Sequence, residues 1–564
     1  MKNNPFIKRL HQSFQIEIYV VTYITIIAAY FAIVLNFPVT SEIFELAAED
    51  SLSFALSSPL LLFFCFIIIF TLFSFPFLLK PLSIILVLLS SMALYAAVKY
   101  SVMFDYGMIE NIFETHSSEA TSYLSPSSVL YFVVFGLAPA VVLGFVKIKK
   151  SSSVLKGLMS RIVAVLVAAI GIVLIALLFY KYYASVGRNN RYLNKMINPA
   201  FAYNTVKYVR NNYFTTPLVY QPLGEDAKLE PALNGKPNLV VLVVGETARS
   251  MNYYYNGYSR NTNPYTEDMG LISFKNVSSC GTATAVSLPC MFSDLSRNNY
   301  DKAHAISRDN AMDIIGRAGV NLSWIENDGG DKGISKNFQL IEIDHAANSD
   351  LCNNGVCYDE VMVPMLDQQV QATQGDKLIA FHVIGSHGPT YYKRYPKEKA
   401  HFQPDCPRSD IEHCTDEEIV NTYDNTIAYT DFVLAEFINK LKTYQDRYNV
   451  ALMYISDHGE SLGENGMYLH GTPYSIAPKE QTQVPWLIWL IWLIWLIWLI
   501  WLIWLPSQYS EQRKIDRACL STSAETGEFS HDNFFHTLIG FFGVITKDKN
   551  DDMDIINHCH ISKS

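Results

Sequence analysis

Glu246 closes an apolar run, Asn238 to Val244, within Val243-Val244-Gly245-Glu246-Thr247-Ala248-Arg249-Ser250. Further on, Cys280-Gly281-Thr282-Ala283-Thr284-Ala285 sets a small, hydroxyl-rich turn before a predicted helix. A carboxylate at a strand's carboxyl end beside a hydroxyl at a helix start suits a metal-activated nucleophile. His387 stands in Gly385-Ser386-His387-Gly388-Pro389, and Asp457 and His458 in Ser456-Asp457-His458-Gly459-Glu460-Ser461. His470, twelve residues past His458, can fold back to the same edge. Taken singly, an acidic residue ending a strand is usually a solvated turn residue, and a lone histidine a hydrogen-bonded one. Their coincidence is what points to a site, because carboxylate and imidazole donors suit Zn²⁺ and a metal depresses the pKa of a coordinated hydroxyl. Spacing alone leaves Thr282, Thr284 and Ser287 all eligible as the nucleophile.

The elements that must position these groups begin at Pro237, where short apolar runs alternate with helical stretches. That alternation predicts an α/β unit with a mainly parallel sheet and flanking helices. Predicted strands are Asn238–Val244, Val320–Ile325, Lys377–Ile384 and Asn449–Ile455. Glu246, His387 and the Asp457-His458 pair follow three of them, and open α/β sheets place their sites outside the carboxyl ends of strands.

At 564 residues the chain exceeds one ordinary core. Half its residues are hydrophobic, and the excess lies at the N-terminus, in candidate membrane spans Ile16–Phe37, Phe54–Leu79, Leu82–Phe104, Ser128–Val146 and Ile162–Tyr180. Lys2, Lys8 and Arg9 precede the first; Lys80, and then Lys147, Lys149, Lys150 and Lys156, occupy two of the loops. The intervening loops are acidic, with Glu42, Glu45, Glu49 and Asp50 in one and Asp105, Glu110, Glu114 and Glu119 in the other. This alternation predicts a cytoplasmic N-terminus and an exported C-terminal part. The expected organisation is a five-helix transmembrane domain over 1–183, a bridging linker over 184–236 with an interfacial amphipathic helix between Asn194 and Asn212, and a catalytic domain over 237–564. A net charge of −10 without a dense basic run excludes a nucleic-acid-binding footprint. No phosphate-binding glycine loop or dinucleotide fingerprint is present.

Of nine cysteines, only Cys65 lies in a span. Proximity pairs the others as Cys280–Cys290, Cys352–Cys357, Cys406–Cys414 and Cys519–Cys559, although eight cysteines allow 105 connectivities. An oxidising compartment suits them better than a zinc-thiolate site, for which paired CxxC elements are lacking. Asn111, Thr115 and Glu119 recur every fourth residue and so share a helix face. From the residues alone, this is a solvated face.

Val244 to Arg249, Cys280 to Ala285, Ser287-Leu288-Pro289-Cys290-Met291-Phe292, Ser386-His387-Gly388-Pro389 and Ser456 to Gly466 together resemble the lipid A phosphoethanolamine transferases. That family includes the mobile colistin-resistance enzymes and belongs to the alkaline phosphatase superfamily. The resemblance extends to Ser530-His531-Asp532-Asn533. It implies an alkaline phosphatase/sulfatase-type catalytic domain on the periplasmic side of the bacterial inner membrane. It makes Thr284 the nucleophile and Glu246, Thr284, Asp457 and His458 the ligands of a tight zinc. His387 and His470 would bind headgroup phosphate or a second zinc, and Lys332 would contact phosphate. Asn111, Thr115 and Glu119 become the donor-lipid site, which replaces the solvated-face reading. The implied reaction moves phosphoethanolamine from phosphatidylethanolamine to lipid A phosphate through a phosphothreonine-type intermediate, with polymyxin resistance as the outcome. Alternatives are another envelope acceptor (core sugar, Kdo or a periplasmic glucan), a membrane-bound phosphoesterase, or an inactive variant. Gly329-Gly330 stands where the family often carries a serine, so that side-chain contact is absent.

Trp486 to Leu505 reads WLIWLIWLIWLIWLIWLIWL, bounded by Pro485 and Pro506. Its length would allow a sixth span, but a crossing there would put Cys519, Cys559 and His531 on the wrong side. A period of three suits neither helix nor strand amphipathicity. The expectation is one buried WLI strand enlarged by tandem duplication, with the surplus an aggregation liability.

Overall fold

The computed structural model describes residues 16–47, 51–115, 123–190, 192–216, 218–231, 234–347, 349–353, 355–490 and 508–560. Glu119 and most of the WLI repeat, from Ile491 to Leu505, lie outside the described residues. The chain forms two compact units, one from segments 1–109 and 124–213 and the other from 110–123 and 214–564. The division thus falls inside the 184–236 stretch, after Tyr213, and segment 110–123 groups with the later residues.

The first unit is helical. It contains α1 (Val20–Tyr30), α2 (Phe37–Ala47), α3 (Leu52–Leu72), α4 (Leu79–Tyr100), the opening turn of α5 (Tyr106–Glu114), α6 (Pro126–Phe145), α7 (Val154–Asn189) and α8 (Ala200–Tyr213). Four of these, α3, α4, α6 and α7, are long and apolar enough to cross a membrane; a fifth span results if the pair Val20–Leu35 and Phe37–Ala47, bent by 59°, is counted as one. The bend falls at the end of the first span read from the sequence, Ile16–Phe37, and the helix Phe37–Ala47 lies beyond that reading. Phe31–Leu35 is a π-turn and Asn36, in non-helical φ/ψ, breaks the helix before Pro38. The second span ends at Leu72 rather than Leu79, because Ser74 and Pro76 follow and Lys80-Pro81 open the first turn of α4. Tyr23, Ile24, Ile27, Phe31, Phe66 and Phe70 form this unit's core. The amphipathic stretch of the linker is interrupted at Asn198-Pro199, leaving the short helix Leu193–Met196 before α8.

The second unit is built on a seven-stranded sheet. Its strands are β1 (Asn238–Gly245), β2 (Ile272–Phe274), β3 (Asn321–Glu326), β4 (Gln339–Glu342), β5 (Lys377–His382), β6 (Asn449–Ser456) and β7 (Trp486–Leu490). Their order is β2-β7-β6-β1-β5-β3-β4. Pairings β6–β1, β1–β5, β5–β3 and β3–β4 are parallel, while β7 runs antiparallel to both β6 and β2, so the sheet is mixed. β1 and β6, at the centre, are buried along their whole length. That explains their uninterrupted apolar runs, since a strand covered on both faces cannot alternate. Helices in this unit include α9 (Thr284–Met291), α10 (Asp416–Lys442) and α11 (Phe534–Phe542); α10 begins with a capping box in which Thr415 and Glu418 bond reciprocally. Four disulfides close Cys280–Cys290, Cys352–Cys357, Cys406–Cys414 and Cys519–Cys559.

Strand β7 is the first WLIWL of the repeat, and all five side chains are buried. Trp486, Ile488 and Leu490 join one side of the core, with Trp486 against Phe274 and Phe534. One short copy therefore fills the strand. Deleting Ile491 to Leu505 is expected to raise the yield of folded protein extracted in detergent and to preserve its specific activity. Yield and specific activity against the unmodified chain measure this; a lower yield after deletion would contradict it.

Candidate active site and metal centre

The carboxyl ends of β1 and β6 lie side by side, with Ser456 paired to Gly245. The turn after β1 is left-handed at Thr247, with φ +51°, a costly conformation for a β-branched residue. Three bonds hold it: Ala248 N donates to Ser456 Oγ (2.9 Å), Tyr423 Oη to Thr247 O (2.6 Å), and Arg249 N to Tyr423 Oη (3.0 Å). Gly385 approaches this turn so closely that a Cβ would stand 2.8 Å from Glu246 O. The result aims the fully buried Glu246 at the start of α9.

Thr284 is the first residue of α9, where backbone N–H groups lack helical partners and favour negative charge. Its Oγ1 donates to Glu246 Oε2 (2.9 Å) and lies 3.3 Å from His458 Nε2. His458 Nε2 is 3.4 Å from both Glu246 Oε1 and Asp457 Oδ2. The three hydroxyls that spacing could not separate are separated here. Thr282 Oγ1 donates to Thr472 O (2.6 Å) and Ser287 Oγ donates to Asp457 O, so both are tied to main chain. Among the three, Thr284 faces the acidic cluster.

Glu246, Asp457 and His458 each offer a donor atom within 4.8 Å of the others. Glu246 Oε1 and Asp457 Oδ2 are buried without a hydrogen-bond partner. His458 Nδ1 faces Gly459 O at 2.9 Å, which must accept, so Nε2 carries a lone pair directed inward. Burial holds the His458 pKa down to about 4, so the ring is neutral. Burial first, and then the Asp457 and Asp328 charges, push the Glu246 carboxyl well above its usual range. Burial also opposes ionisation of Asp457, but the His458 and His382 rings outweigh it and hold that carboxyl low. Two orphaned carboxylate oxygens and one lone-pair nitrogen around a common point fit a divalent cation.

A second group, Glu246, Asp328 and His382, also brings donor atoms within 4.8 Å. It differs in charge. His382 Nδ1 lies 3.0 and 2.9 Å from the Glu326 oxygens. Burial alone would lower the His382 pKa and raise that of Glu326, but their mutual attraction prevails and places them at about 9 and about 2. The ring is thus an imidazolium through the neutral range, a fixed positive charge beneath the acidic cluster.

His387 and His470 stand next to this centre, with ring centroids 5.4 Å apart, and His470 is 4.7 Å from His458. Each has a carboxylate beside Nδ1: Asp328 Oδ1 at 3.7 Å from His387 and Glu460 Oε2 at 3.4 Å from His470. Asn111, Thr115, Thr284, Asp328, Lys332 and both histidines line one pocket, completed by Gly329. Lys332 Nζ donates to Gly329 O (3.2 Å) and Glu114 O (3.3 Å). The structure therefore brings together Glu246, Thr284, Asp457, His458, His387, His470, Lys332, Asn111 and Thr115; Glu119 lies outside the described residues.

Sequence reading missed Asp328, Glu326 and His382. The signal available was a charged residue ending each of two apolar strands. It also left His531 without a role. This buried ring bridges the two halves of the site: Nε2 donates to Ser456 O (3.0 Å), and Nδ1 accepts from Cys280 N (3.1 Å). His531→Ala would leave both main-chain groups unsatisfied in a dry interior, at about 3 kcal/mol in all, roughly 6–12 °C of melting temperature. Thermal melts of the detergent-solubilised protein measure it, and an unchanged melting temperature would contradict the bridge.

The family description "Phosphoethanolamine transferase EptA/EptB" matches residues 62–213, and "Sulfatase" matches residues 238–492. The chain is 40% identical over 540 residues to phosphoethanolamine transferase EptA of Escherichia coli (strain K12), covering 94% of this chain and 95% of that one. It is 36% identical over 451 residues to phosphatidylethanolamine transferase Mcr-1 of Escherichia coli, covering 77% and 83%. The solved structure of the integral membrane protein lipooligosaccharide phosphoethanolamine transferase A from Neisseria meningitidis superposes with a TM-score of 0.89 at 34% identity, over 95% of this chain and 98% of that one.

Proposed function

The chain belongs to the EptA/EptB phosphoethanolamine transferases, and from that premise we propose that it moves phosphoethanolamine from phosphatidylethanolamine to a phosphate of lipid A by double displacement at Thr284. The observation carrying this reading is Thr284 Oγ1, 2.9 Å from Glu246 Oε2 and 3.3 Å from His458 Nε2, on the wall of a pocket shared with His387, His470 and Lys332.

Glu246, Asp457 and His458, with the Thr284 hydroxyl, are the residues that would hold zinc. Zinc bound there supplies a Lewis acid that lowers the hydroxyl's pKa and offsets charge on the phosphoryl oxygens. Thr284 Oγ1 attacks the donor phosphorus, and its proton has Glu246 Oε2 within hydrogen-bond distance. The bond from phosphorus to the diacylglycerol oxygen breaks, leaving phosphoethanolamine on Thr284. A lipid A phosphate oxygen then attacks the same phosphorus and releases Thr284. His387 and His470, with Asp328 and Glu460 near their Nδ1 atoms, face the pocket where phosphoryl oxygens would lie, and Lys332 adds a positive charge at the rim. Asn111 and Thr115 contribute neutral donors and acceptors to the donor headgroup.

An amine-capped phosphate carries less of the negative charge that cationic peptides need, so polymyxin resistance follows. The alternating basic and acidic loops support a cytoplasmic N-terminus in the inner membrane, and the four disulfides support a periplasmic catalytic unit. Mass spectrometry of lipid A from cells expressing the chain tests the acceptor. A phosphoethanolamine increment on the lipid A phosphates is expected; an increment confined to core sugar or Kdo would contradict the assignment.

A further inference from the structure

From Glu110 onward α5 belongs to the catalytic unit, and two of its faces there have different neighbours. Asn111 and Thr115, four residues apart, line the pocket that holds Thr284. Glu110 and Glu114, also four apart and one step round the helix, turn to Lys302. Lys302 Nζ lies 3.3 Å from Glu110 Oε1 and pairs directly with Glu114 Oε1. The three side chains are 20%, 7% and 21% exposed, so these pairs are largely withdrawn from water. Removing one partner from such a pair strands a poorly hydrated charge, unlike the loss of a surface ion pair.

Two facts make this contact a question of positioning. A nine-residue helix is marginal by itself, so tertiary contacts must set its place. Lys332 supplies one contact, through Glu114 O at the helix's carboxyl end, where a cation is favoured. Lys302 supplies the paired charges. It precedes the rest of the short helix Lys302–Ile306, whose cap Asp301 accepts from His304 N, so the ammonium is presented from ordered backbone. None of the catalytic steps uses Lys302.

We propose that Lys302 is a positioning residue for the donor: by fastening Glu110 and Glu114 it sets Asn111 and Thr115 as one wall of the pocket around Thr284. This rests on reading that pocket as the donor-headgroup site. Lys302 touches no reacting atom, so its loss is felt in donor KM more than in kcat.

The test uses the full-length protein in mixed micelles of detergent and phosphatidylethanolamine. Lys302→Met is expected to raise donor KM about tenfold, equivalent to about 1.4 kcal/mol, with kcat within about twofold and bound metal unchanged. Lys302→Arg keeps KM near the unmodified value. Adding Glu114→Gln to Lys302→Met raises KM no further, because both remove the same interaction. Amide hydrogen exchange, which needs no turnover, is expected to quicken over residues 110–115 in Lys302→Met. Unchanged KM, additive effects of the two substitutions, or a fall in kcat together with metal loss would each overturn the proposal. Unchanged exchange would overturn it too. If the unmodified protein transfers nothing, the donor reading fails, and exchange still decides whether Lys302 fastens the helix.

Discussion

Thr284→Ala is expected to abolish transfer, lowering kcat/KM by at least about four orders of magnitude, with folding and donor binding retained. The size follows from the reaction form. Removing the nucleophile of a covalent route leaves only positioning and charge stabilisation, and in hydrolases built this way such a loss costs about 10⁴–10⁶. Thr284 is 6% exposed, and alanine is a good residue for the first turn of α9, so the fold should tolerate the change. Thr284→Ser retains a hydroxyl 2.9 Å from Glu246 and is expected to keep measurable activity. Thr282→Val and Ser287→Ala serve as contrasts, since their hydroxyls bond main chain. Steady-state rates on solubilised enzyme measure all four, and residual activity in Thr284→Ala above about one part in a thousand would contradict a covalent role.

Stripping the metal, and replacing Glu246 by glutamine, are expected to produce the second large effect, on stability and activity together. Glu246 Oε1 and Asp457 Oδ2 are buried without hydrogen-bond partners, and burial first, then the Asp457 charge, pushes the Glu246 carboxyl well above its usual range. A group whose pKa is raised on folding stabilises the fold fully below its unfolded value. That contribution is lost as pH climbs through the folded one. Without metal the protein should therefore melt at progressively lower temperature as pH rises above 4.5, whereas Asp457, whose carboxyl is held low, loses its contribution only on acidification below 3.8. Zinc a thousandfold above its Kd adds about 4 kcal/mol, or roughly 10 °C in melting temperature. Glu246→Gln should remove both the downward pH slope and the zinc increment, and should abolish transfer. Melting curves with and without chelator, across pH, measure this. A zinc increment that survives Glu246→Gln would contradict the ligand assignment.

The central strands were legible in the sequence because both faces of β1, β5 and β6 are buried and their apolar runs are uninterrupted; observed ends lie within about two residues of those read. Convergence of Glu246, Thr284, Asp457 and His458 was legible because ligands at strand ends cannot lie far from the sheet edge. The choice of Thr284 over Thr282 and Ser287 came from the family resemblance and not from spacing, since it depends on which hydroxyl the first turn of α9 aims inward. Nor was the Glu326–His382 ion pair, whose members stand on neighbouring strands far apart in sequence and look like solvated ends of apolar runs. The antiparallel course of β7 was hidden because a strand's direction leaves no mark on its composition.

Double displacement requires phosphoethanolamine to reside on Thr284, next to Glu246, Asp457 and His458. Mixing the zinc-loaded enzyme with phosphatidylethanolamine in the absence of acceptor, quenching with acid and sequencing peptides by mass spectrometry tests this directly. The expected result is one phosphoethanolamine group on the Cys280–Cys290 peptide, localised to Thr284 and discharged when lipid A is added before the quench. An unmodified peptide under conditions of turnover, or the group on Thr282 or Ser287 instead, would contradict it.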